Sequence, residues 1–189
     1  MSMSRRMLLA SLAGASLLAA PVVAQEAITP AAASEIQKGF LTDLDSLQAK
    51  FVSLAEAIPA DKFSWRPAEG VRSVGEAFMH VASEYYLFTP MAYGAAPSPV
   101  VERNQAALKA FEQQSGKDDV LKHLRESFAY ARQQISALDA NAIAGKRRLF
   151  GRDRTILETS SIMSADLHEH LGQLIAYARM NGVKPPWSR

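Results

Sequence analysis

The sequence predicts an all-α protein, a four-helix bundle preceded by a cleavable signal peptide. Three observations lead there. Apolar residues recur at spacings of three and four over long stretches. Two of those stretches open with tetrapeptides that suit a reciprocal helix cap. Nowhere does an alternating, β-branched run lie between turn residues, so no strand is expected. With 48% hydrophobic and 21% charged residues, the composition is that of one globular domain with a real core, assigned to residues 25–189.

Residues 1–24, "MSMSRRMLLASLAGASLLAAPVVA", have a basic start, an apolar run from Met7, and small residues at Val22 and Ala24 around an expected cut after Ala24. "SRRMLL" (Ser4 to Leu9) resembles the twin-arginine export signal. The alternative is an ordinary secretory leader whose basic region holds Arg5 and Arg6. Gly14 and Pro21 interrupt the run, which argues against an uncleaved anchor. Membrane contact is therefore expected only through the export signal, and the expected location is periplasmic or secreted. The leader carries two of the 21 basic residues and none of the 19 acidic ones, leaving 19 of each sign. The basic pI belongs partly to the leader, and nucleic acid is not an expected partner. The absence of cysteine excludes disulfides, a thiol nucleophile and a thiolate metal site.

The first helix is expected over about 32–57, where Ile36, Phe40, Leu44, Leu47, Phe51 and Leu54 form one stripe. Pro59, Pro67 and Gly70 break the chain after it. "SVGE" (Ser73 to Glu76) reads as a capping box that opens a second helix, expected to end near Phe88. A weaker helical piece covers 102–113. The third long helix spans about 118–138, with Leu121, Leu124, Phe128, Ala131 and Ile135 on one face. "TILE" (Thr155 to Glu158) is a second capping box, and the last helix runs to Asn181 with Gly182 as its stop. Four amphipathic helices in one small domain imply a bundle.

"ADLHEHLGQL" (Ala165 to Leu174) concentrates the chemistry. Residues four apart share a helical face, so Asp166 and His170 form a pair, with Gln173 and Tyr177 along their row. His168, two positions from each, points to the other side. A metal needs a further ligand from a neighbouring helix, and His80 or His123 are the candidates. His123, between Lys122 and Arg125, reads as a solvated surface residue. His80 reads either as a ligand or as a buried histidine satisfied by a hydrogen bond. One carboxylate and two imidazoles suit Zn²⁺ or another divalent transition metal. Glu84, one turn from His80, is a candidate general base or a partner behind the metal, the alternative being a solvated acid. Gln173 either bonds a ligand or ties helices together. "WRP" (Trp65 to Pro67) and "PPW" (Pro185 to Trp187) read as lids over the core. "GKRRLFGRDR" (Gly145 to Arg154) reads as a solvated basic loop.

"FSWRPAEGVRSVGEAFMHVA" (Phe63 to Ala82) followed by "HEHLGQLIAYARMNGVKPPWS" (His168 to Ser188) resembles the DinB/YfiT-like superfamily over about residues 30–188. The resemblance implies a four-helix bundle, often dimeric, so that a homodimer is an expectation. It also implies a metal site commonly built from three histidines. The histidine of the second helix matches His80. The two on the last helix, H-x-x-x-H before a G-Q pair, fall on Asp166 and His170, so aspartate stands at one ligand position. The implied set is His80, Asp166 and His170, holding Zn²⁺, Ni²⁺ or Mn²⁺. Members of the superfamily use a divalent metal to activate low-molecular-weight thiols or water. Because such thiols are cytoplasmic, an exported member is expected to be a metal-dependent hydrolase, or a related transferase, acting on an unknown small molecule. The rival expectation is a non-catalytic bundle that binds a small apolar ligand or a partner protein.

Overall fold

The computed structural model describes residues 28–188. Four long helices form its body: α1 (Pro30–Ala57), α2 (Val74–Tyr93), α4 (Lys117–Ser136) and α6 (Ile156–Met180). The connections hold α3 (Gln105–Glu112), α5 (Ala140–Ala144) and an antiparallel hairpin of β1 (Lys146–Leu149) and β2 (Arg152–Thr155). α1 and α2 each pack against both α4 and α6, so the four long helices close a ring around one core. Residues 1–24, expected to be the signal peptide, lie outside the described residues. Among the described residues no helix is long and apolar enough to cross a membrane.

The core follows from the stripes. Leu47, Phe51 and Leu54 of α1 meet Phe78, Met79 and Val81 of α2, Leu124 and Phe128 of α4, and Leu174 of α6, all fully buried. Phe128 lies at the centre, with ring centroids 5.9 Å from Phe51 and 4.4 Å from Tyr85. Each such side chain contributes about 1.5–3 kcal/mol of burial free energy. Ile36 and Phe40 lie on the same stripe but are only half-buried.

Both expected capping boxes form. Ser73 Oγ accepts from the Glu76 amide at 3.2 Å while Glu76 returns to the Ser73 amide at 2.7 Å. The Thr155–Glu158 pair repeats the pattern at 3.1 and 2.7 Å. These boxes fix the first turns of α2 and α6, the two helices that carry the histidines of the site.

Three sequence expectations need correction. The basic stretch after Gly145 is a hairpin, not a loop without strands; its register pairs Lys146 with Thr155 and Leu149 with Arg152. Its two-residue turn is Phe150-Gly151, both at positive φ, 49° and 75°. Phenylalanine in this left-handed region costs roughly 1–2 kcal/mol, and the usual Asn-Gly or Asp-Gly signal is absent. α2 also continues past Phe88, through Pro90, to Tyr93. The extra turn is held by burial of Thr89, Ala92 and Tyr93 and by a 2.9 Å bond between the Tyr93 hydroxyl and Ser160 Oγ. Finally, His123 is not on the surface. It is 8% exposed, with its ring 4.8 Å from Phe111 and 6.2 Å from Tyr86, and burial lowers its pKa. The buried face of α4 runs through Val120, His123, Leu124 and Ser127, turned slightly from the expected one through Leu121.

Candidate metal centre

His80 and Glu84 stand four apart on α2, so their side chains lie on one face, and α6 brings His170 against them. Glu84 Oε1 lies 3.2 Å from His80 Nε2 and 3.5 Å from His170 Nε2. The imidazole rings sit 5.0 Å apart at 84°. One potential ligand atom from each of the three residues falls within 4.8 Å of the other two. Of the expected set, the structure brings His80 and His170 together and supplies Glu84 as the third group. Asp166 lies beside Glu84 but outside this trio; its side chain is a methylene shorter. Its carboxyl pKa is raised by burial and then by the neighbouring Glu84 charge. His168 lies on the other flank of α6, 3.0 Å from Asp43 Oδ1, and Asp43 also accepts from Ser164 at 2.5 Å.

Each histidine is held from behind. Glu112, at the end of α3, accepts from His80 Nδ1 at 2.7 Å, and Arg72 donates to Glu112 at 2.9 and 3.3 Å. Gln173 Oε1 accepts from His170 Nδ1 at 3.3 Å, and its amide group donates to the Tyr177 hydroxyl at 3.0 Å. Tyr177 is in turn covered edge-on by Trp65 at 5.6 Å. A carboxylate can only accept, so Nδ1 of His80 carries a proton and Nε2 is turned toward Glu84. This arrangement, an acceptor behind each ring and a common acid in front, is how protein metal sites orient their histidines. Glu112 was not among the sequence candidates.

The charges of the cluster support one another against burial. Burial opposes charge on His80, but Glu112 and Glu84 outweigh it and raise the pKa to about 9. Burial likewise opposes charge on Glu84, but bonds from His170 and His80 hold its pKa down at about 2. Glu84 raises His170 as well, against burial. Glu84 Oε1 is the oxygen that faces the two Nε2 atoms, and Oε2 is buried and receives no hydrogen bond. Two imidazoles and a carboxylate with a spare buried oxygen are a donor set that fits a divalent transition metal.

Comparison with solved structures finds the same fold. A DinB-like protein from Bacillus subtilis is 20% identical, with a TM-score of 0.60 over 76% of this chain and 92% of that one. A DinB-like protein from Bacillus cereus ATCC 10987 is 13% identical, with a TM-score of 0.65 over 80% of this chain and 97% of that one. No curated protein matches the sequence. A family model described as the DinB superfamily matches residues 43–174, a span that includes His80, Glu84, Glu112 and His170. With most of the chain under that match, the protein belongs to the DinB superfamily.

Proposed function

We propose that the protein is a metal-dependent enzyme, a hydrolase or a related transferase, acting on a small molecule. His80, Glu84 and His170 hold the metal, and Zn²⁺, Ni²⁺ and Mn²⁺ all suit that donor set. The observation that carries the reading is the convergence of two oriented Nε2 atoms on a buried carboxylate whose second oxygen lacks a donor. When bound, such a metal supplies an electrophile that makes water reactive near neutral pH. Glu112 and Gln173 fix the two rings. Asp166 is the proton carrier in this reading, a role supported by its carboxyl pKa, which burial and the neighbouring Glu84 raise.

An expected site outside the cytoplasm, resting on residues 1–24, favours water over a cytoplasmic thiol as nucleophile. The leader is tested by N-terminal sequencing of the exported protein, which should begin near Gln25. Elemental analysis tests the centre: the purified chain should carry about one divalent transition metal, and His170→Ala should lose it. A parent protein that takes up no metal after incubation with Zn²⁺, Ni²⁺ or Mn²⁺ defeats the proposal.

The rival reading, a bundle that binds an apolar ligand without chemistry, draws on a different cavity. About 290 Å³ lies between the end of α2 and the 97–103 loop, lined by Tyr86, Leu87, Pro90, Met91 and Val101. The buried Tyr86 hydroxyl has no hydrogen-bond partner. A metal-free protein that binds an apolar ligand there supports this second reading over the first.

A further inference from the structure

A cavity of about 160 Å³ opens beside the cluster, where α2, α6 and the β1–β2 hairpin meet. Phe88, Phe150, Ile162 and Met163 give it apolar walls, and Glu84 and Asp166 form its polar end. A space of about this size takes one benzene-sized group. Glu84, on the cavity lining, is only 8% exposed, and its Oε2 is buried without a hydrogen-bond donor; buried acceptors of this kind ordinarily have one.

The hairpin gives a second, independent sign. Phe150 occupies a left-handed turn position that suits asparagine or glycine, and it stays 58% exposed there. Its ring meets Phe88 edge-on at 5.6 Å. The fold alone does not require an aromatic at that turn, since Leu149 already anchors the hairpin in the core. Backbone strain retained under a half-open aromatic that walls a cavity points to a ligand.

We propose that this cavity is the substrate-binding pocket of the metal centre and that it selects a compact hydrophobic amine. The ring-sized apolar part lies against the Phe88–Phe150 pair, facing Ile162 and Met163, and the nitrogen donates to Asp166. With Glu84 Oε1 already engaged by His80 and His170, Asp166 is the carboxylate left to receive that donor. A hydrophobic acid is disfavoured, because both groups at the polar end are themselves acids. The role as substrate pocket rests on the metal-enzyme reading; recognition of the amine does not.

Benzylamine is the probe, titrated calorimetrically into the full chain both loaded with Zn²⁺ and metal-free. One equivalent should bind, with methylamine and benzoate each at least tenfold weaker. Phe150→Asn relaxes the turn and so keeps the fold; it should weaken benzylamine about tenfold and leave zinc content unchanged. Asp166→Asn should abolish the preference for benzylamine over benzyl alcohol. Benzylamine binding no tighter than methylamine, or unchanged by Phe150→Asn, overturns the proposal. A chain that takes up no zinc but shows the expected benzylamine selectivity upholds the pocket and sinks the metal reading alone. Zinc uptake without that selectivity does the reverse.

Discussion

Glu112 Oε1 lies 2.7 Å from His80 Nδ1, although 32 residues separate them in the chain. This contact fixes the tautomer of a candidate ligand, and Arg72 fixes Glu112 in turn. Outer partners of this kind are worth about 10–100-fold in metal affinity. Glu112→Gln keeps an acceptor for Nδ1 but removes the charge. Zn²⁺ affinity measured by competition with a chelator should fall about tenfold, and the His80 pKa, followed by NMR, should drop below about 9. Unchanged values for both would show that Glu112 merely neighbours the histidine.

The bundle was legible because its signals are local. The Leu44–Leu54 stripe, Ser73 and Glu76, and Thr155 and Glu158 all lie within one helix or one cap. Spacing of four marked His170 with Asp166, and His80 entered as a ligand only through the family resemblance; the structure brings the two histidines together. Glu84 was seen only as a supporting acid, because a single helix cannot say which of two carboxylates, Glu84 or Asp166, points between the histidines. Glu112 gave no signal at all: α3 is short, and its end meets His80 only through the packing of α2 and α3. His123 was misread because Lys122 and Arg125 on either side suggest solvent, whereas the helical row through Val120 and Ser127 turns it inward. The hairpin escaped because its strands, KRRL and RDRT, are nearly all polar and its turn carries phenylalanine instead of asparagine.

Protonation should stabilise the metal-free protein over a defined window. His80 has a folded pKa of about 9 against an ordinary 6.5, so its contribution is complete below 6.5 and lost as pH rises through 9. Glu84 has a folded pKa of about 2 against 4.5, so its contribution is complete above 4.5 and lost as pH falls through 2. Metal-free protein should therefore be most stable between about pH 4.5 and 6.5 with respect to these groups, and urea midpoints should decline from pH 7 to 9. Metal binding needs neutral imidazole at Nε2, so Zn²⁺ uptake at pH 7 should release protons, seen as a buffer-dependent calorimetric heat. A flat urea profile from pH 6 to 9 with no proton release contradicts this account of the cluster.

Glu84 and Asp166 should separate by metal content. Glu84 contacts both Nε2 atoms, whereas Asp166 lies outside the trio. Glu84→Gln should lose most bound metal, because an amide is a poor substitute for a carboxylate ligand. Asp166→Asn should retain it and lose turnover of any substrate found. Equal retention in both variants places the third ligand elsewhere. Loss only in Asp166→Asn restores aspartate to the ligand set.

Gly75 ties stability to the site. It is the second residue of α2, and a Cβ there would run into the backbone of Ser115, in the 113–116 turn that follows Glu112. The Gly75 amide also donates to Phe63 O at 2.9 Å, so α2 cannot easily retreat from that turn. Gly75→Ala must push the turn outward, which is overpacking and costs about 1–3 kcal/mol. For a domain of this size that is a fall in Tm of about 2–4 °C per kcal/mol. The same displacement pulls Glu112 from His80, so Zn²⁺ affinity should weaken along with Tm. Gly39→Ala is the control, since nothing lies within 4 Å of a Cβ there and alanine is the better helix former. Calorimetric scans of the two variants beside the parent give the comparison directly. A Gly75→Ala protein as stable as Gly39→Ala would mean that the 113–116 turn yields freely and does not position Glu112.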